Sequence, residues 1–113
     1  MTYLVTGATG FVGSSLVRLL LERGEEVRVL IREDSDRTNI DGLDIEELTG
    51  DLTKIPSLRK ACRASLGLFH VAADYRIWVK RPKVLYENNV QGTLNLMRCA
   101  MEAGVNRIVY TSS

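Results

Sequence analysis

No apolar run in the 113 residues approaches the roughly 20 needed to cross a membrane as a helix. The N-terminus carries no basic, then apolar, leader: Met1 runs straight into a strand-like segment, so no secretory signal is expected. Excess charge of one sign is also missing. Fifteen Lys and Arg against fourteen Asp and Glu leave a formal net charge of +1, which argues against a nucleic-acid partner. Cysteine is scarce. Cys62 and Cys99 both fall in predicted helices and read as reduced packing residues of a cytoplasmic protein, and no metal site is assigned. Repeats, low-complexity tracts and linkers are absent, and the length suits one domain rather than two.

What is present is organised around Tyr3-Leu-Val-Thr-Gly-Ala-Thr-Gly-Phe-Val-Gly13. Leu4 and Val5 lead as a short strand, and the run Val12, Leu16, Leu19, Leu20 follows as a helix. Between them Gly7, Gly10 and Gly13 recur at intervals of three. A dinucleotide loop needs glycine three times: for the sharp turn, for close approach of the backbone to the pyrophosphate, and for tight packing of helix on strand. The helix N-terminus then offers free N–H groups to the phosphates. Thr9, Phe11 and Val12 fall inside this loop and join the glycines as cofactor-binding candidates.

The remaining segments alternate. Residues 2–6 read as strand one, 11–23 as helix one ending at Gly24, and 26–31 as strand two, with Val27, Val29 and Ile31 in alternation. Residues 32–43 are polar, with a turn at 39–42. Residues 43–48 are a weak third strand, and Pro56 opens a helix to about residue 64. Residues 66–72 read as strand four, apolar enough for burial on both faces. A loop at 74–81 precedes a helix over 82–103, with Val90, Leu94, Met97 and Met101 on one stripe, and strand five spans 107–111. Strands alternating with helices demand an α/β fold with a parallel sheet and right-handed crossovers. The expected architecture is a Rossmann-type doubly wound sheet of order 3-2-1-4-5, with the cofactor across the switch point between strands one and four. Strand five would lie at a sheet edge as the sequence stops, so residues 1–113 are expected to be the N-terminal, NAD(P)-binding part of a longer chain, truncated after strand five.

Several motifs now carry a resemblance. Thr6-Gly-Ala-Thr-Gly-Phe-Val-Gly13 resembles the T-G-x-x-G-x-x-G loop of the extended short-chain dehydrogenases/reductases, which include NAD-dependent sugar epimerases, dehydratases and dihydroflavonol reductases. Gly50-Asp-Leu52, His70-Val-Ala-Ala73, Asn89-Val-Gln-Gly-Thr93 and Val109-Tyr-Thr-Ser-Ser113 match in the same order, over essentially the whole chain. His70-Val-Ala-Ala-Asp-Tyr-Arg-Ile-Trp78 is also similar to the hopanoid-associated sugar epimerase branch.

The end of strand two distinguishes the cofactor. NAD binders place an acid there for the ribose hydroxyls. Here Ile31 is followed by Arg32, which can fork onto a 2′-phosphate with Arg37 assisting from the loop, although Glu33 or Asp34 could still reach the ribose. NADP is therefore favoured over NAD. The resemblance implies that Asp51 accepts from the adenine amino group, or else acts as a local cap, and that Leu52 packs on the ring. It also implies that Ala72 and Ala73 let the cofactor pass, that Tyr75 approaches the nicotinamide ribose, and that Asn89 supports the site. Thr111 and Ser112 would line the cofactor, and Ser113 would be the catalytic hydroxyl, with Ser112 its one-residue rival. His70 reads as a residue inside the sheet.

The family's acid/base pair is Tyr-x-x-x-Lys. No such pair occurs in these 113 residues: Tyr75 and Lys80 are five apart. The expected chain therefore binds cofactor for an oxidoreductase or epimerase acting on a sugar nucleotide or on an alcohol or ketone, and is inactive alone. A non-catalytic NADP sensor is the second reading, and a domain that binds nothing the third. The resemblance further implies a homodimer through the helix 82–103.

Overall fold

The computed structural model describes residues 2–71 and 82–110, with the backbone only of 82–89. Thr2–Thr6 (β1), Glu26–Ile31 (β2), Glu46–Thr49 (β3), Gly67–His70 (β4) and Arg107–Tyr110 (β5) form one sheet. Its order is β3-β2-β1-β4-β5. Every pairing is parallel, with Val5 opposite Val29 on one side and Phe69 on the other. Phe11–Glu22 (α1), Ile55–Cys62 (α2) and Pro82–Glu102 (α3) supply the crossovers, and a short 3-10 turn covers Thr38–Ile40. The expected Rossmann-type order is the observed one.

Period-two alternation decides which face each strand residue joins. Leu4, Leu30 and Leu68 point to α2 and α3, where they pack with Leu58, Ala61, Cys62, Leu96, Cys99 and Ala100. Val5, Val27, Val29 and Ile31 point to α1, where they meet Val17, Leu20 and Ile40. Both cysteines are buried and unpaired. Burial pushes the Cys62 thiol up to about 11, and burial also raises that of Cys99, so neither is poised for thiolate chemistry. Arg28 ties this face together. Its guanidinium pairs with Glu46 of β3 at 2.6 Å and donates to the Ala61 carbonyl at the end of α2 at 2.8 Å.

Three expectations are corrected. The third strand starts at Glu46 rather than residue 43, because the Ile45 N–H turns back to the Leu43 carbonyl and cannot join the ladder. The helix after Pro56 stops at Cys62, where Ala64 takes a left-handed φ of 58°. Strand four spans only Gly67–His70, and Phe69 is half-buried rather than enclosed. The stripe of α3 that meets the sheet is Gly92, Leu96, Cys99 and Ala100. Val90, Leu94 and Met101 are exposed, and Met97 is only partly covered. The small residues decide this: a Cβ on Gly92 would fall 2.8 Å from Leu52 Cβ, so α3 passes directly over Leu52.

Candidate functional site

The loop between β1 and α1 is shaped by two different demands on glycine. Gly7 has φ +73°, a conformation that side chains disfavour. A Cβ on Gly13 would lie 2.0 Å from the Gly7 carbonyl oxygen, so the helix can sit on the turn only as glycine. Gly10 is another matter. It is extended, with φ −79°, and a Cβ there would meet Gly7 O at an ordinary 3.5 Å. The protein itself leaves room for a side chain at Gly10, so the absence of one keeps space open on the outer side of the loop.

Gly10 caps α1 without any side-chain hydrogen bond, and the first turn holds no acid. The N–H groups of Phe11, Val12 and Gly13 precede the first intrahelical bond, Ser14 N–H to Gly10 O. Phe11 is 84% exposed and Val12 56%, an apolar lip beside those donors. Asn39 braces the loop: its side-chain amide donates to the Thr9 carbonyl at 2.9 Å, and its own carbonyl accepts from Arg18 at 2.8 Å.

Beside this lip, at the carboxyl ends of β2 and β3, lies a groove of about 560 Å³ lined by Arg32, Glu33, Asp34, Thr49, Gly50, Asp51, Lys54 and Ser57. Asp51 Oδ1 accepts from both the N–H and the hydroxyl of Thr53, each at 2.8 Å. Those two bonds hold its carboxyl below the usual carboxylate range, with smaller help from the charges of Arg32 and Lys54. Among the described residues nothing donates to Oδ2. Ser57 fixes the turn by donating to the Lys54 carbonyl at 2.7 Å and accepting from the Asp51 N–H at 3.2 Å. Arg32 is exposed and has no ion-pair partner among the described residues. Arg37 does not line the groove; its Nε lies 3.7 Å from Glu47 of β3. Leu52 is half-buried against the α2–α3 face.

A second polar cluster occupies the ends of β1 and β4. His70 is fully buried, with Nδ1 2.7 Å from Thr6 Oγ1 and Nε2 2.9 Å from Thr93 Oγ1 of α3. The Val71 N–H donates to the same Thr6 hydroxyl at 3.2 Å. The imidazole stacks on Tyr110 of β5, with centroids 5.1 Å apart and planes at 17°. Burial pulls its pKa from 6.5 down to about 4, so the ring is neutral near pH 7.

Gly7, Thr9, Gly10, Phe11, Val12 and Gly13 thus surround one loop, and Arg32 and Asp51 share the adjoining groove. Ala72, Ala73, Tyr75, Thr111, Ser112, Ser113 and the side chain of Asn89 lie outside the described residues. Asn39, Lys54, Ser57 and Thr93 were missed by sequence reasoning. Thr93, as the last residue of the quoted Asn89–Thr93 motif, and Asn39, read as the start of a turn, carried a signal.

The sequence profile of the NAD dependent epimerase/dehydratase family matches residues 3–113. Sterol demethylase protein B of Methylococcus capsulatus is 49% identical over 113 residues, covering 100% of this chain and 34% of that protein. The crystal structure of gox2253 superposes with a TM-score of 0.93 at 53% identity, over 99% of this chain and 34% of that one. The UDP-glucose 4-epimerase of Thermus thermophilus, in complex with NAD, superposes with a TM-score of 0.86 at 33% identity, over 100% of this chain and 38% of that one. The chain spans about a third of the length of the curated relatives it matches.

Proposed function

We propose a function from one established premise: the chain belongs to the NAD dependent epimerase/dehydratase family. It is the dinucleotide-binding part of an oxidoreductase or epimerase, and its cofactor is NADP in preference to NAD. One observation carries this reading. Gly10 has room for a side chain within the protein, yet sits bare above the uncapped N-terminus of α1. That arrangement fits a pyrophosphate seated on the loop. The NAD in the complex of the Thermus relative supports the same class of ligand.

Each residue has a task in this reading. Gly7, Thr9, Gly10 and Gly13 shape the cradle, and Phe11 and Val12 form its apolar lip. Asp51 Oδ2 accepts from the adenine amino group, with Leu52 beneath. Arg32 forks onto the 2′-phosphate, with Lys54 on the same groove wall; the Glu47 pairing of Arg37 leaves it a lesser part. Ala72, Ala73, Tyr75, Asn89, Thr111 and Ser112 line the nicotinamide half, and Ser113 bonds the substrate oxygen. When bound, the nicotinamide supplies the hydride chemistry for a sugar-nucleotide or an alcohol/ketone substrate. With no Tyr-x-x-x-Lys among its 113 residues, the chain alone binds without turning over. We further assign a cytoplasmic location, and a homodimer through the exposed stripe of α3 at Val90, Leu94 and Met101.

The test is Gly10→Val. Thermal unfolding should be unchanged to within a few degrees, while calorimetric titration shows loss of both NADPH and NADH binding. Normal binding by that variant would overturn the loop assignment.

A further inference from the structure

We propose that His70 is a positioning residue for dinucleotide binding, clamping the loop-bearing end of β1 in place against β4, β5 and α3 through Thr6, Thr93 and Tyr110. The inference rests on the reading of the glycine loop as a dinucleotide cradle.

Thr6 is the last residue of β1 and directly precedes Gly7. Wherever the Thr6 hydroxyl is held, the first residue of the loop is held with it. That hydroxyl is gripped twice, by the His70 ring of β4 at 2.7 Å and by the N–H of Val71, the residue after β4, at 3.2 Å. The opposite ring nitrogen reaches Thr93 of α3 at 2.9 Å. The ring face lies on Tyr110, the residue before Thr111-Ser-Ser113. Four elements therefore meet on one imidazole, and three of them end at the sheet edge where the dinucleotide would cross.

Chemistry explains why the residue is histidine. A neutral imidazole is one donor and one acceptor on opposite sides of a rigid ring, and each threonine hydroxyl can take the complementary role. A carboxylate in this buried place would carry an uncompensated charge, and an aliphatic side chain would fill the space without fixing either hydroxyl. The neutral state is secure, because burial alone moves its titration and no charged group among the described residues acts on it. The ring touches neither the loop's outer face nor the groove, so it works through Thr6 rather than on the ligand.

The experiment uses the full-length protein and NADPH as probe, with calorimetric affinity and thermal unfolding measured side by side. His70→Phe keeps an aromatic ring on Tyr110 and removes both hydrogen bonds. Its Kd should rise about tenfold. Thr93→Val should weaken binding about threefold, and Thr93→Ser should restore it. Leu96→Val is the control: it trims the buried core one turn along α3 and should lower the unfolding temperature with no change in Kd. Wild-type affinity in His70→Phe, or a parallel loss in Leu96→Val, would overturn the inference while leaving the cradle intact. If His70→Phe does not fold, the Thr93 pair decides, and equal affinity of Thr93→Val and Thr93→Ser overturns it. Failure of the wild type to bind either NADPH or NADH would overturn the cradle reading itself.

Discussion

Two polar clusters stand at the same edge of this sheet and solve opposite problems. The groove at β2 and β3 is open and charged: Arg32, Lys54 and Asp51 face solvent, and Asp51 keeps one oxygen unclaimed among the described residues. The cluster at β1 and β4 is closed and neutral: His70 and Thr6 are buried with their atoms paired. A site that recognises a charged ligand needs spare hydrogen-bonding capacity, and water tolerates it there. A site that holds strands in place cannot leave capacity spare, because an orphaned buried group costs about 1–3 kcal/mol. The difference teaches where to look for recognition and where for positioning.

If the comparison is sound, the largest stability effect belongs to the closed cluster. Lowering the pH should weaken the fold first through His70. Its folded-state pKa lies below its ordinary value, so its contribution is complete above pH 6.5. That contribution is lost as pH falls from 6.5 toward 4 and then levels off, with a total of up to about 3 kcal/mol. Asp51 behaves differently. Its lowered pKa makes its contribution present above the ordinary carboxylate range and lost only at more acid pH. Urea unfolding across pH 2 to 8 separates the two windows, and His70→Phe should flatten the first alone. Next in size, Thr6→Val should cost about 2 kcal/mol in the same assay, because it deprives the buried imidazole of a partner, while the Val71 N–H keeps the Thr6 carbonyl at 3.2 Å. The smallest stability change is expected in the open groove. Arg32→Ala should leave urea unfolding within about 0.5 kcal/mol of wild type, as for surface sites generally, yet weaken NADPH about tenfold more than NADH. Equal losses for the two dinucleotides would remove the 2′-phosphate assignment and blur the contrast.

Much of this was legible from local spacing. The glycine turn and most element boundaries follow from alternation and from where glycine falls, because those signals lie within a few residues of what they describe; the strand order follows from the general rule for doubly wound sheets. The closed cluster was not legible in the same way. His70 reads as an ordinary residue inside a strand until Thr6, 64 positions earlier, and Thr93, 23 later, are brought against it. The packing face of α3 is set by a feature that is equally hard to see. Val90, Leu94 and Met101 carry more apolar surface than Gly92 and Ala100, but the sheet selects the stripe that lets the helix come close, and smallness is a weak signal in sequence. The start of β3 turned on a single N–H whose partner, Leu43 O, is a matter of conformation and not of residue type.

The strand order also sets a timetable. β1 lies at the centre of the sheet, yet its partner β4 follows 64 residues later, with Thr6 paired to His70. At a synthesis rate of roughly 5–20 residues per second, Leu4 and Val5 wait about 3–13 s on the ribosome before that side of β1 is covered. Glu26–Ile31 arrives sooner and can shield the other side. The nascent chain is therefore most exposed to wrong pairing after β2 has docked and before β4 emerges, and the strand that carries the loop is the one left waiting.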